Sequence, residues 1–331
     1  MAATIYDVAA LAGVSPATVS RVLNGTPVSP ERAQKVRDAA QALAFRPNRM
    51  ARTLRKGGSE VVALVIPDVE NSFFTALARG VEDRAMAAGY SVVLCNTDEL
   101  AEKESRYLEI AVGEQMAGVV LAAASPEPDL AALTARAIPV VAVDRPVTNH
   151  EVDTLRLDDR RAAVQATRAL FGRGHELVAC VTGFSDTATA QLRAEGWREV
   201  LAEHRPDVDP GTYLRHTDYR PGGGRRAAEE LLSLPHPPDA IFAANNLLGV
   251  GVLAHLVQSG RRPPQVGLAV LGELPYPEWE ARDVVVEPWP GRLLGLRAAD
   301  VLLGRIRGDA APPRTLVVCG DEPLERAPVS G

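Results

Sequence analysis

The side chains with the most chemistry to offer cluster in the first sixty residues. Between Pro16 and Leu23, Val19, Val22 and Leu23 recur at helical spacing, which leaves Pro16, Ala17, Thr18, Ser20 and Arg21 for solvent or a ligand. Ser20 and Arg21 can donate to base edges or phosphates, and Ala17 with the Thr18 methyl can meet a thymine methyl. A second run, residues 46–58, carries Arg46, Arg49, Arg52, Arg55 and Lys56 around Met50 and Leu54. Those cations repel one another until an anion neutralises them, and Met50 or Leu54 can serve as an apolar wedge between base steps. Residues 1–60 hold nine Lys/Arg against four Asp/Glu, a net charge of +5, whereas the whole chain is −6, leaving −11 on residues 61–331. A small basic head on an acidic body puts the field that favours nucleic acid in one place.

The elements that must position these groups are also legible. Thr4 is an N-cap and Asp7, three residues on, is the acidic half of a capping box. Ile5, Val8, Ala9 and Leu11 or Ala12 form an apolar stripe. Gly13 can take the positive φ that stops this first helix, and Ser15 caps a second whose first residue is Pro16. The pattern is a helix-turn-helix, whose second helix lies in a DNA major groove; the competing reading is a small αα-hairpin packed on a neighbour. Ser29 and Pro30 start a third helix, to about residue 44, with Ala33, Val36, Ala40 and Leu43 inward. Asn48 can cap a short helix over 49–56, ended by Gly57 and Gly58. It is too short to stand alone in water, so it is expected to fold only with DNA and a partner chain. A plain basic linker is the alternative.

From residue 61 short β-branched runs alternate with amphipathic helices. Strands are predicted at 61–66, 91–95, 118–122, 139–143, 177–181, 240–243, 268–271 and 315–319. Helices are predicted near 72–88, 100–113, 127–136, 160–173, 188–203, 223–233, 246–259 and 291–307. The strands are continuously apolar, the mark of parallel sheets covered on both faces. About 270 residues of this pattern suit two α/β lobes, with the loops after residues 66, 95, 122, 143, 183, 218, 244 and 271 around one pocket.

Other chemistries find little support. Cys95, Cys180 and Cys319 each sit in an apolar run, with no close pair for a disulfide framework or metal. The six histidines lack ligand spacing, and Gly222–Gly223–Gly224 lacks the rest of a phosphate-binding motif. Neither a nucleophile elbow nor an acid pair stands out, so no enzyme, cofactor or metal is expected. Asp158 and Asp159 read as a capping pair, or as groups reaching into a cleft. No run reaches membrane-span length and no secretory leader is visible, so a cytoplasmic protein is expected.

Thr4–Ile5–Tyr6–Asp7–Val8–Ala9, Ala12–Gly13–Val14–Ser15, Thr18–Val19–Ser20–Arg21–Val22–Leu23–Asn24 and Pro47, Asn48, Ala51, Leu54 together closely resemble the lactose/galactose repressor (LacI/GalR) family of bacterial transcription regulators. The likeness continues through Ile66–Pro67, Asn71–Ser72–Phe73–Phe74, Val143–Asp144–Arg145–Pro146, Gly174–His175, Arg193–Ala194–Glu195–Gly196–Trp197 and Ala243–Ala244–Asn245, so it spans essentially the whole chain. The resemblance implies an all-α helix-turn-helix head (1–46), a hinge helix and linker (47–60) and a two-lobed α/β body like a periplasmic binding protein, with parallel sheets (61–331). It implies a homodimer on a pseudo-palindromic double-stranded operator, with the hinge helices paired in the central minor groove and Leu54 as the levering residue. DNA-binding positions carried over are Thr4, Tyr6, Ser15, Pro16, Ala17, Thr18, Ser20, Arg21, Asn24, Asn48, Ala51, Leu54 and Arg55. Effector-binding positions carried over are Asn71, Phe73, Phe74, Asp144, Arg193, Tyr219, Asn245 and Glu273. Arg193 can grip hydroxyls or a carboxylate in a fork, and Phe74 or Tyr219 can stack on a ring.

Several positions depart from the family pattern. Asn246 stands where Asp usually follows Asn245, and Val270–Leu271–Gly272–Glu273 replaces Gly–Phe–Asp–Asp. Gly272 cannot take sugar hydroxyls as that first aspartate does. Glu287 replaces Gln before Pro288, and Asp159 replaces Asn after Asp158. An ordinary hexose is therefore a less secure effector than another sugar or metabolite. The rival readings are a family regulator with no effector, and a sugar-binding or sugar-processing protein with an unrelated basic head. With only a dozen residues after Cys319 and no leucine heptad, a C-terminal tetramerisation helix is not expected.

Overall fold

The computed structural model describes residues 3–23, 26–45, 59–274 and 283–318. The chain divides into two compact units, Met1–Ser59 and Glu60–Gly331.

In the first unit, α1 (Ile5–Ala12), α2 (Pro16–Leu23) and α3 (Pro30–Ala42) surround a core of small side chains. The capping box forms: Thr4 Oγ1 accepts from the Asp7 N–H (3.4 Å), and the Asp7 carboxylate accepts from the Thr4 N–H (2.7 Å). Gly13 ends α1 at φ 65°, a left-handed conformation that a side chain disfavours. Ser15 Oγ then accepts from the Thr18 N–H (3.2 Å) at the start of α2. Of the two candidates closing the α1 stripe, Ala12 is buried and Leu11 exposed. Two expectations for α3 change. The Ser29 side chain makes no capping hydrogen bond, leaving the start to Pro30 with its preset φ, and Ala39 joins Val36 as the buried residues.

The second unit holds two wholly parallel sheets. The first contains β1 (Val61–Ile66), β2 (Ser91–Asn96), β3 (Gly118–Leu121), β4 (Val140–Val143), β5 (Asp153–Arg156) and β11 (Thr315–Val317), in the order β11-β5-β4-β3-β1-β2. The second contains β6 (Val178–Thr182), β7 (Leu214–His216), β8 (Ala240–Ala243), β9 (Gly267–Leu271) and β10 (Val284–Glu287), in the order β10-β9-β8-β6-β7. Their helices are α4 (Ser72–Ala87), α5 (Ala101–Gly113), α6 (Ala131–Ala135), α7 (Asp159–Gly172), α8 (Ala188–His204), α9 (Pro210–Tyr213), α10 (Pro221–Leu232), α11 (Asn246–Gln258) and α12 (Gly291–Ile306).

Strand periodicity explains the apolar runs. Along β1, Val62, Leu64 and Ile66 pack with Phe74, Leu77 and Leu294 on one face, while Ala63 and Val65 pack with Leu108 and Leu130 on the other. A strand covered twice has no polar side to show. Trp197, Phe242 and Leu231 anchor the second lobe. The chain enters that lobe between β5 and α7 and returns between β10 and α12, so α12 packs on α4 and on β3, β4 and β5. A Cβ at Gly295 would collide with the Leu77 carbonyl oxygen, so glycine there permits the close approach of α12 to α4. Strands β5, β7 and β10 and the short α9 are additions to the expected elements. Among the described residues no helix is long and apolar enough to cross a membrane.

Candidate effector cleft and nucleic-acid face

The C-terminal ends of both sheets open onto a cleft of about 270 Å³ within the second unit. Asn71, Phe73, Phe74, Asp144, Arg193, Tyr219, Asn245 and Glu273 all lie on its wall. Of the loops expected there, those after residues 122 and 183 contribute no wall residue, although Thr189 at the start of α8 does, and so do residues 289–292, where the chain returns to the first lobe. Sequence reasoning also passed over Arg145, Glu99, Thr189 and Trp289 as wall residues.

Local structure fixes what each group can offer. Asn71 and Asn245 are N-caps: their Oδ1 atoms accept from the Phe73 N–H (3.0 Å) and the Leu248 N–H (2.7 Å), leaving their Nδ2 donors for a ligand. Phe73 lies edge-on to Phe74 at 5.0 Å and 6.4 Å from the Trp289 ring, an apolar wall in the first lobe. The ring of Tyr219 lies over Gly183, where any Cβ would strike it, and its hydroxyl is 3.3 Å from Thr189 Oγ1. Trp289 stands between Pro288 and Pro290, two residues that stiffen the crossing between lobes.

Buried charge is concentrated at the centre. Arg145 donates through both Nη atoms to Glu99 (2.6 and 2.7 Å), a bidentate pair. Asp144, at φ 65°, is held in a conformation that few residues other than glycine, asparagine and aspartate accept. Its carboxylate has no hydrogen bond among the described residues and stands 3.8 Å from Arg145 Nε. Arg193 is not a free fork: Nε donates to Asp159 (2.7 Å) and Nη1 to the Ala244 carbonyl (2.7 Å), while its guanidinium lies 5.3 Å over Trp289. The paired aspartates thus separate in role. Asp158 caps α7 by accepting from the Arg161 N–H (3.1 Å), and Asp159 reaches inward to Arg193.

Burial pushes the Asp144 and Asp159 carboxyls up against the pull of Arg193, Asp159 to about 7. A carboxyl whose folded-state value is raised contributes stability that is fully present below its ordinary 3.8 and is lost as pH rises through about 7. Asp159→Asn should therefore flatten the fall in melting temperature across that interval while lowering it at acid pH, where the native protonated group is best tolerated. An unchanged pH slope in a thermal melt would contradict this.

Two polar ties cross the cleft. Arg220, just after Tyr219, donates to Glu70 (2.9 Å) and contacts Asp68 (3.1 Å), and Asn246 Nδ2 donates to Ser72 Oγ (2.6 Å). The Arg220 cluster is partly exposed, so Arg220→Ala should cost no more than about 1 kcal/mol. It should nonetheless accelerate amide exchange at residues 68–72 and at the start of α10. Unchanged exchange there would remove Arg220 as a tie between the lobes.

In the first unit, Thr4, Tyr6, Ser15, Pro16, Ala17 and Arg21 are exposed, and Thr18 and Ser20 are half-buried. Tyr6 is 71% exposed, an unusual position for an aromatic side chain on a core-forming helix. Ser15 Oγ and Thr18 Oγ1 are 3.0 Å apart, so Thr18 is held at the mouth of α2. Asn24, Asn48, Ala51, Leu54 and Arg55 lie outside the described residues.

Comparison with known proteins accounts for both units. Residues 4–48 match the family model for bacterial regulatory proteins of the lacI family, and residues 59–319 match that for periplasmic binding proteins and the sugar binding domain of the LacI family. The chain is 33% identical to the ribose operon repressor of Escherichia coli K12 over 92% of this chain and 93% of the other. It is 29% identical to the transcriptional repressor PurR of Vibrio cholerae over 98% and 97%. Among solved structures, a complex of the transcriptional regulator CelR with cellobiose matches at TM-score 0.70 and 29% identity, over 96% and 97% of the chains. The lac repressor dimer bound to operator and the anti-inducer ONPF shares the fold at TM-score 0.81 and 23% identity, over 96% of each chain. The chain belongs to the LacI family of bacterial regulatory proteins.

Proposed function

We propose that this protein is a cytoplasmic, homodimeric transcriptional repressor that binds a pseudo-palindromic operator and whose affinity is set by a small molecule, a sugar or related metabolite, in the interlobe cleft. The observation that carries the reading is the capped α1–α2 pair, which buries Val8 and Val19 and leaves Tyr6, Pro16, Ala17 and Arg21 exposed on a net-positive segment. Thr18, Ser20 and Arg21 face the major groove, Pro16 and Ala17 sit at the start of the reading helix, and Thr4, Tyr6, Ser15 and Asn24 serve the DNA around it. Asn48, Ala51, Leu54 and Arg55 serve the hinge, with Leu54 opening the central minor groove. Asn71, Phe73, Phe74, Asp144, Arg193, Tyr219, Asn245 and Glu273 contact the effector. A regulator without an effector is disfavoured by the buried polar atoms on the cleft wall that have no partner among the described residues, Arg145 Nε and Trp289 Nε1.

The test is sequencing of genomic fragments retained by the purified protein, followed by fluorescence transfer between the ends of a retained duplex. A shared inverted repeat, bent at its centre by the protein and less bent by Leu54→Ala, is expected. Random fragments would reject the operator reading, and equal bending by the variant would reject the wedge.

A further inference from the structure

The cleft's own charges bear on what it admits. Three guanidinium groups line it, and each already has a carboxylate: Arg145 is held by Glu99 (2.6 and 2.7 Å), Arg193 by Asp159 (2.7 Å) and Arg292 by Asp83 (2.7 Å). An anionic ligand would have to compete with these partners, two of them bound in surroundings that water scarcely reaches. It would also meet Asp144, whose side chain is 6% exposed and stands 3.8 Å from the already paired Arg145, and the exposed Glu273. Bringing a phosphate or carboxylate beside a buried carboxyl group, in a site whose guanidinium groups already hold carboxylate partners, is costly.

The same wall is rich in donors. Among the described residues Arg145 Nε and Trp289 Nε1 are buried without acceptors, and the capping asparagines Asn71 and Asn245 offer their Nδ2 atoms. Gly272, at φ 88°, supplies no carboxylate on the second-lobe side, and among the described residues a Cβ there would meet the Asn246 and Trp289 Cβ atoms at 3.7 Å. The complementary ligand has several oxygen acceptors, at least one O–H for Asp144, an apolar ring edge for Phe73 and Trp289, and no charge. We propose that the cleft selects an uncharged polyhydroxyl compound and discriminates against its phosphorylated or carboxylated derivatives, an inference that rests on the effector reading above. A hydroxyl both donates and accepts, so it satisfies Asp144 whether that group is ionised or protonated.

Calorimetric titration of the full chain tests this with matched probes: D-ribose against ribose 5-phosphate, D-glucose against glucose 6-phosphate and gluconate, and cellobiose. At least one neutral compound should bind, with its charged counterpart weaker by about tenfold or more. Glu99→Gln, which strips Arg145 of its counter-charge, should narrow that gap. Asp144→Asn, in which asparagine tolerates the same left-handed backbone, should narrow it too. A charged derivative that binds as tightly as its parent, or binding by none of the neutral compounds, overturns the proposal, as does an unchanged gap in both variants. Operator retention, followed separately by anisotropy, keeps the outcomes apart. Loss of charge selectivity with intact operator binding rejects this inference alone, and selectivity without operator binding rejects the transcriptional reading instead.

Discussion

Arg193→Ala is expected to destabilise the protein by about 3–5 kcal/mol at pH 8, the cost of removing one partner from a buried ion pair. Both members are almost wholly enclosed, 6% and 1% exposed at the side chain, and Arg193 also satisfies the Ala244 carbonyl at 2.7 Å. Removal leaves the Asp159 carboxylate and that carbonyl without their donors. Because burial already pushes Asp159 to about 7, protonation relieves part of the penalty in acid, so the loss should shrink between pH 8 and pH 5. Urea unfolding midpoints at the two pH values check both statements. A loss under 1 kcal/mol, or one independent of pH, would mean that the pair contributes little and that Arg193 is present only to meet a ligand.

The second large effect is on DNA. Arg21→Ala should weaken binding to the selected operator by about 1–3 kcal/mol, the range for losing a specific base contact, while random duplex is bound nearly as before. Arg21 is the one basic residue in the last turn of α2, and its side chain is exposed. Anisotropy titrations on both duplexes read the difference. Equal weakening on both would assign Arg21 to phosphate, and would then also lower the salt dependence by about one counterion.

Much of the fold could be read from local pattern because its determinants are local. The capping box, the Gly13 stop and the Ser15–Pro16 start are each contained within four residues, and the structure reproduces them. The inner strands were legible because both faces are covered, as β1 shows. Strand β7 is a three-residue sheet edge with a single apolar side chain, Leu214, and β5 begins with Asp153, whose carboxylate is satisfied by Arg305 (2.7 Å) from α12. No window of neighbouring residues contains that pairing.

The cleft divides along the same line. Asp144 directly follows a strand, Asn71 and Asn245 are helix N-caps and Tyr219 stands one residue before one, so loop position alone brings them to the pocket. The partners that set its electrostatics are distant in sequence. Glu99 meets Arg145 across 46 residues and Asp159 meets Arg193 across 34. Asp158 and Asp159 could each cap a helix or reach into a cleft, and their spacing does not say that the first does one and the second the other. Trp289 carried a signal that went unused, an aromatic residue locked between two prolines where the chain recrosses between lobes.

The most direct measurement is a competition titration, at about 0.15 M salt, of the genomic site retained by the protein against a shuffled duplex of the same composition. A DNA-reading head on a ligand-responsive body should favour the genomic site by about a thousandfold or more, and a cleft-binding compound should change that ratio. Equal affinity for the two duplexes, with and without such a compound, would contradict the account.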